Sequence, residues 1–169
     1  VGDLVAGRYR ILRFVGQGAV GEVFAARDLE LEVDVALKIL KLRDESDDAT
    51  VERFRREVLL ARRISHPHVC RIFDLGVHLL GSDGREDRPL RFLTMELLVG
   101  ETLSRRLDER GPLPEEEVAR IAGQLASGLA AAHRAGVIHR DLKSSNVVLV
   151  RDADGERAVI TDFGLARDH

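Results

Sequence analysis

The densest chemistry in the sequence lies in His139-Arg140-Asp141-Leu142-Lys143-Ser144-Ser145-Asn146, followed downstream by Asp162-Phe163-Gly164. This combination of two carboxylates, an amide and an ammonium suits moving a phosphoryl group held by magnesium. Asp141 can accept a proton from an incoming hydroxyl. Asn146 and Asp162 offer hard oxygen ligands, and Lys143 can neutralise phosphate charge. Taken singly, each Asp or Asn could equally cap a loop, but that explanation does not cover the whole set.

A second constellation precedes it. Gly16-Gln17-Gly18-Ala19-Val20-Gly21-Glu22-Val23 has the spacing of a loop whose backbone approaches phosphates with no Cβ in the way. Dinucleotide-binding folds use similar glycines, but between a strand and a helix, whereas this loop runs from strand to strand. A glycine-rich hairpin turn with no ligand remains open on these residues alone. Lys38, Lys41 and Lys143 are the only lysines in an arginine-rich chain. Lys143 falls in the first motif and Lys38 ends Val35-Ala36-Leu37-Lys38, places where a compact ammonium serves phosphate oxygens better than a planar fork.

Together, the glycine loop, Val35-Ala36-Leu37-Lys38, the catalytic run and Asp162-Phe163-Gly164 resemble the eukaryotic-type (Hanks-type) serine/threonine protein kinase family. Leu37 departs from the usual isoleucine. Lys143, two residues past Asp141, resembles the serine/threonine form of the loop. The resemblance implies ATP and Mg2+ as cofactors and a protein serine or threonine hydroxyl as acceptor. It implies that Asp141 is the base or hydroxyl-orienting residue, with Lys143 beside it, and that Asn146 and Asp162 are the metal ligands. It also implies that Lys38 contacts the α- and β-phosphates and pairs with Glu57, whose surface alternative is Arg53. By the same resemblance, backbone groups of Glu96 and Leu98 read adenine and Met95 is the gatekeeper. Val15, Val23, Ala36 and Val148 then sandwich the ring, under a lid formed by Gly16, Gly18 and Gly21. Arg140 matches kinases whose activation loop is phosphorylated. His139 reads as a structural hydrogen-bonding residue.

The surrounding pattern supplies elements to hold these groups. Residues 9–16 and 20–27 read as a β-hairpin and residues 33–40 as a third strand. Val51, Phe54, Val58, Ala61 and Ile64 recur at helical spacing, predicting an amphipathic helix over 50–64 after the acidic stretch Asp44–Asp48. Strands are expected at 69–77 and 90–97, separated by a polar loop at 81–89. A short helix is expected at 102–110, closed by Gly111-Pro112. A longer helix should begin at Pro114, carry Glu115, Glu116 and Glu117 in its first turn and stop at Gly136. Short strands at 147–150 and 158–161 flank a turn at 152–155. The predicted class is α+β and protein-kinase-like. Residues 1–98 form an antiparallel-sheet small lobe with hinge, and 99–169 a truncated helical large lobe ending just after Asp162-Phe163-Gly164.

Composition sets outer bounds. With 44% apolar and 33% charged residues the chain is globular in character, and a net charge of −3 without basic blocks gives no reason to expect nucleic-acid binding. No apolar stretch reaches membrane-spanning length, and the lone Cys70 suits a buried position and a cytoplasmic setting, although a full-length parent could be membrane-anchored. Because the sequence starts at Val1 and ends at His169, the expectation is a piece of a longer kinase with little transfer activity of its own. That end would also leave the Val118, Ile121, Leu125 and Leu129 face bare. A non-catalytic nucleotide-binding or scaffolding module is the alternative, with a small-molecule phosphotransferase behind it.

Overall fold

The computed structural model describes residues 1–18, 21–40, 48–80, 88–153 and 155–163. Gly164, the acidic stretch before Asp48 and most of the polar loop at 81–89 lie outside the described residues. The described chain divides into two units, the first comprising Val1–Glu52 with Ile72–Leu97 and the second Arg53–Arg71 with Leu98–Arg167.

The first unit is built on a six-stranded antiparallel sheet. Its strands are β1 (Leu4–Val5), β2 (Tyr9–Gly18), β3 (Gly21–Asp28), β4 (Val33–Leu40), β5 (Ile72–Leu80) and β6 (Arg88–Met95), ordered β1-β2-β3-β4-β6-β5. The β2–β3 hairpin closes at Gly18 opposite Gly21, after register shifts between Ile11 and Arg13 and between Phe14 and Gly16. On one face Val5, Tyr9, Ile11, Ala26, Val35, Leu37 and Phe92 form a core. The ring of Tyr9 meets that of Phe92 edge-on, at 5.6 Å between centroids. The sequence pattern misses β1, which is too short to show a period.

Helix α1 (Asp48–Ala61) ends three residues before the expected boundary. The Arg62 amide still bonds four residues back to Val58, but those of Arg63 and Ile64 bond only three back, to Leu60 and Ala61, which tightens the chain into a 3-10 form. Phe54, Val58, Ala61 and Ile64 are buried as the spacing predicts. The strand expected at 69–77 begins only at Ile72, because Val69 and Cys70 are committed elsewhere. Val69 bridges Ile160, and the Cys70 amide donates to the Ile160 carbonyl at 2.8 Å.

The second unit joins helices α2 (Leu103–Arg110) and α3 (Glu115–Arg134) to a three-stranded sheet of β7 (Gly100–Thr102), β8 (Val147–Asp152) and β9 (Gly155–Ile160). The Thr102 hydroxyl caps α2 by accepting from the Arg105 amide. Pro114 occupies the position just before α3, one residue earlier than expected, and Gly136 takes a left-handed φ of 76° after its end. The α3 face expected to be bare is covered over most of its length. Ile121 packs with Val147, Leu149 and Ala158, while Leu125 and Leu129 lie against a core of Ile64, Val69, Ala132, Val137, Ile160 and Phe163. Only Val118 of the four stays half exposed.

Candidate active site

In the first unit the groups expected to hold a nucleotide lie on adjacent strands. Gly16 pairs with Val23 and Gly18 with Gly21 across the hairpin; Lys38 pairs with Val23 on one side and Leu93 on the other. Ala36 stands opposite Ala25 and Met95, and Glu96 follows at the end of β6. The Lys38 side chain is 1% exposed, and it is not left without a partner. An ammonium so deeply buried must be compensated, since desolvating an unpaired charge is prohibitive. Backbone geometry alone requires a glycine at position 21. Its φ is +154°, and a Cβ there would overlap the Ile39 carbonyl. Gly16, by contrast, has nothing within 4 Å of where a Cβ would stand.

In the second unit the catalytic run is held by a hydrogen-bond network. His139 is buried; its Nε2 donates to the Thr161 carbonyl at 2.8 Å, while Nδ1 accepts from the Asp141 amide at 3.3 Å. Those two bonds assign the neutral Nε2–H tautomer and give His139 the structural role expected of it. Its ring also packs edge-on against Phe163, 4.6 Å between centroids. Arg140 adopts a left-handed φ of 66° and Asp162 one of 62°, conformations that non-glycine residues seldom take. Such strain is held where surrounding contacts over-determine the backbone, as they do here.

Asp141, Lys143 and Asn146 come together. Lys143 Nζ lies 2.8 Å from Asp141 Oδ2, and Asn146 Nδ2 donates to both the Asp141 carbonyl, at 2.8 Å, and its carboxylate, at 3.2 Å. Both acceptors are oxygens, so the amide nitrogen is committed to Asp141 and Oδ1 is turned elsewhere as an acceptor. The hydrogen bond from Lys143 holds the Asp141 carboxyl below its ordinary range, against partial desolvation and with help from Asn146. The group is therefore a stable carboxylate and a weak base, suited to orienting a hydroxyl and taking its proton late.

Asn146 and Asp162 would each offer a cation one hard protein oxygen, fewer than a complete shell. Among the described residues no group of three or more His, Cys, Asp or Glu side chains could hold a metal. A sparse set of this kind fits Mg2+, which keeps several waters and shares phosphate oxygens rather than occupying an all-protein cage. Leu98 precedes β7, and Val148 pairs with Thr102 across β7 and β8. Glu57 lies on the second unit's part of α1, and its carboxylate is 3.7 Å from an Arg140 guanidinium nitrogen. The sequence carries no local sign of that contact or of Thr161, whose carbonyl anchors His139. Among the described residues no helix is long and apolar enough to cross a membrane.

Comparison with known proteins identifies the family. The protein kinase domain family matches residues 9–169. The chain is 40% identical over 168 residues to the serine/threonine-protein kinase pkn3 of Myxococcus xanthus, covering 99% of this chain and 29% of that protein. It is 36% identical over 166 residues to the serine/threonine-protein kinase PrkC of Bacillus subtilis, covering 98% and 24% respectively. The Mycobacterium tuberculosis PknI kinase domain superposes with a TM-score of 0.80 at 32% identity, covering 98% of this chain and 62% of that one. The chain thus spans less than a third of the length of these two curated relatives.

Proposed function

The chain belongs to the protein kinase domain family, and on that premise we propose that it serves transfer of the ATP γ-phosphoryl group to serine or threonine hydroxyls of a protein substrate. Kinases of this family generally use ATP and Mg2+. The observation that carries the proposal is the Asp141–Lys143–Asn146 cluster, in which one carboxylate is kept ionised by an ammonium at 2.8 Å.

Membership of the family implies the roles. Asp141 orients the incoming hydroxyl and receives its proton as the oxygen attacks, while Lys143 offsets charge on the transferred group. Asn146 Oδ1 and the Asp162 carboxylate would hold Mg2+, which when bound neutralises charge on the phosphate oxygens. Lys38 steadies the α- and β-phosphates, with Glu57 as its counter-ion. Backbone amides around Gly16, Gly18 and Gly21 cover the phosphates. Val15, Val23, Ala36 and Val148 flank the adenine, Met95 gates it, and the backbone at Glu96 and Leu98 reads its edge. We assign residues 1–98 to the small lobe and hinge and 99–169 to the large lobe. An ATP-dependent enzyme whose single cysteine is buried suits the cytoplasm.

The test is calorimetric titration of the chain with MgATP, followed by phosphoryl transfer to a serine- and threonine-containing acceptor protein. Lys38→Ala should weaken MgATP by roughly tenfold, the scale of one lost charge-assisted hydrogen bond. Any transfer should vanish in Asp141→Asn with nucleotide binding retained. Transfer that survives Asp141→Asn undiminished would overturn the assignment.

A further inference from the structure

We propose that Thr161 is a positioning residue that sets the two metal-ligand side chains relative to each other. The inference rests on the assignment of Asn146 and Asp162 as Mg2+ ligands. Thr161 immediately precedes Asp162, and three of its polar groups are spent on the catalytic run. Its amide donates to the Asn146 carbonyl at 2.9 Å, and its hydroxyl donates to the same oxygen at 3.3 Å. Its own carbonyl accepts from His139 Nε2 at 2.8 Å. A carbonyl oxygen has two lone pairs, so it can take both donors at once.

The consequence is geometric. Asn146 is fixed at its backbone by Thr161 and at its amide nitrogen by Asp141, which leaves Oδ1 with one direction in which to point. On the other side, Asp162 begins from a peptide held by His139 and enters a left-handed φ of 62°. Because that conformation is costly for aspartate, a small rotation of the Thr161 peptide would relax it and swing the carboxylate away. The hydroxyl is the one part of this clamp that the Thr161 side chain supplies. The amide and carbonyl bonds persist in any substitution, so the expected effect is modest and specific to the metal.

The experiment compares ATP affinity with excess Mg2+ and with EDTA, and records the melting temperature of the unliganded chain as a folding control. Thr161→Val keeps the β-branched shape but loses the donor. It should weaken MgATP by about threefold, the range of one net hydrogen bond, and raise the Mg2+ concentration needed for half-maximal ATP binding. Affinity in EDTA should not change, and Thr161→Ser should restore the Mg2+ response. If the valine variant fails to fold, Thr161→Ala provides the same comparison. A donor-less variant that responds to Mg2+ as wild type does, or that loses affinity equally with and without Mg2+, overturns the proposal. Asp162→Asn separates the two layers. If it too leaves the Mg2+ response intact, the ligand assignment has failed; if it alone abolishes the response, only the role of Thr161 has.

Discussion

The Glu57 carboxylate stands 3.7 Å from the Arg140 guanidinium, so the acid proposed as the counter-ion of Lys38 has a cationic neighbour in the catalytic run. The contact is loose and its arginine is 38% exposed, which places its worth below about 1 kcal/mol. Glu57→Gln should therefore weaken MgATP several-fold through Lys38, whereas Arg140→Gln should preserve or slightly raise affinity by removing a competitor. Calorimetry on both variants decides between the partners. Equal losses would assign the carboxylate functionally to Arg140.

The glycine loop can be divided experimentally into backbone need and ligand need. Gly21→Ala should destabilise the chain by more than about 1 kcal/mol whether or not nucleotide is present, because φ is +154° and the added Cβ meets the Ile39 carbonyl. Gly16→Ala meets open space, so urea unfolding should move little while MgATP affinity falls. Should Gly16→Ala unfold as readily as Gly21→Ala, the glycines would belong to the hairpin alone.

Motifs were legible because their chemistry is written in contiguous residues, and Val33–Leu40 emerged as a strand with its expected bounds because its own pattern sufficed. Boundaries shifted where distant partners intervened. Val69 and Cys70 left their expected strand for Ile160, ninety residues on, a competition that no local window contains. The short β7 is defined by its pairing with β8 and has too few residues to show a period. Site roles for Asp141, Lys143 and Asn146 could be proposed from spacing, but the bond that depresses Asp141 depends on a rotamer of Lys143. Arg106 bonds Glu156, fifty residues away, at 2.6 Å, a pairing that no local window contains either.

Acid stability should show the Arg8–Asp28 pair. Arg8 grips the buried Asp28 carboxylate with two bonds, at 2.9 and 2.7 Å, and the amides of Glu30 and Leu31 add two more. The Arg8 bonds chiefly push the Asp28 pKa down to about 2 from an ordinary 3.8. A depressed carboxylate contributes its full stabilisation above its unfolded pKa and loses it as pH falls through the folded one. The contribution is about 2 kcal/mol and fades between pH about 4 and 2. Asp28→Asn should lower stability at neutral pH and flatten the acid limb in that window. Denaturant unfolding from pH 7 to 2 measures both, and an unchanged acid limb would show that other carboxylates govern it.

Arg106 should be the most sensitive single position in the second unit. Its guanidinium is 7% exposed and bonds Glu101 from β7, Glu117 from α3 and Glu156 from β9, at 2.6 to 2.9 Å. Arg110 and Arg120 balance the remaining charge from the rim. Removing Arg106 leaves three clustered carboxylates short of their shared cation, a loss of about 3–5 kcal/mol for a broken buried pair. Arg106→Met should therefore lower the urea midpoint strongly at constant slope. Arg106→Lys should rescue little, because one ammonium cannot reproduce a fork that serves three acids. Arg106 also holds the Glu156 carboxyl below its ordinary range, so the methionine variant should lose part of its deficit as pH falls and Glu156 is protonated. A deficit that is constant from pH 7 to 4 would mean that lost packing around the arginine stem, rather than its charge, accounts for the destabilisation.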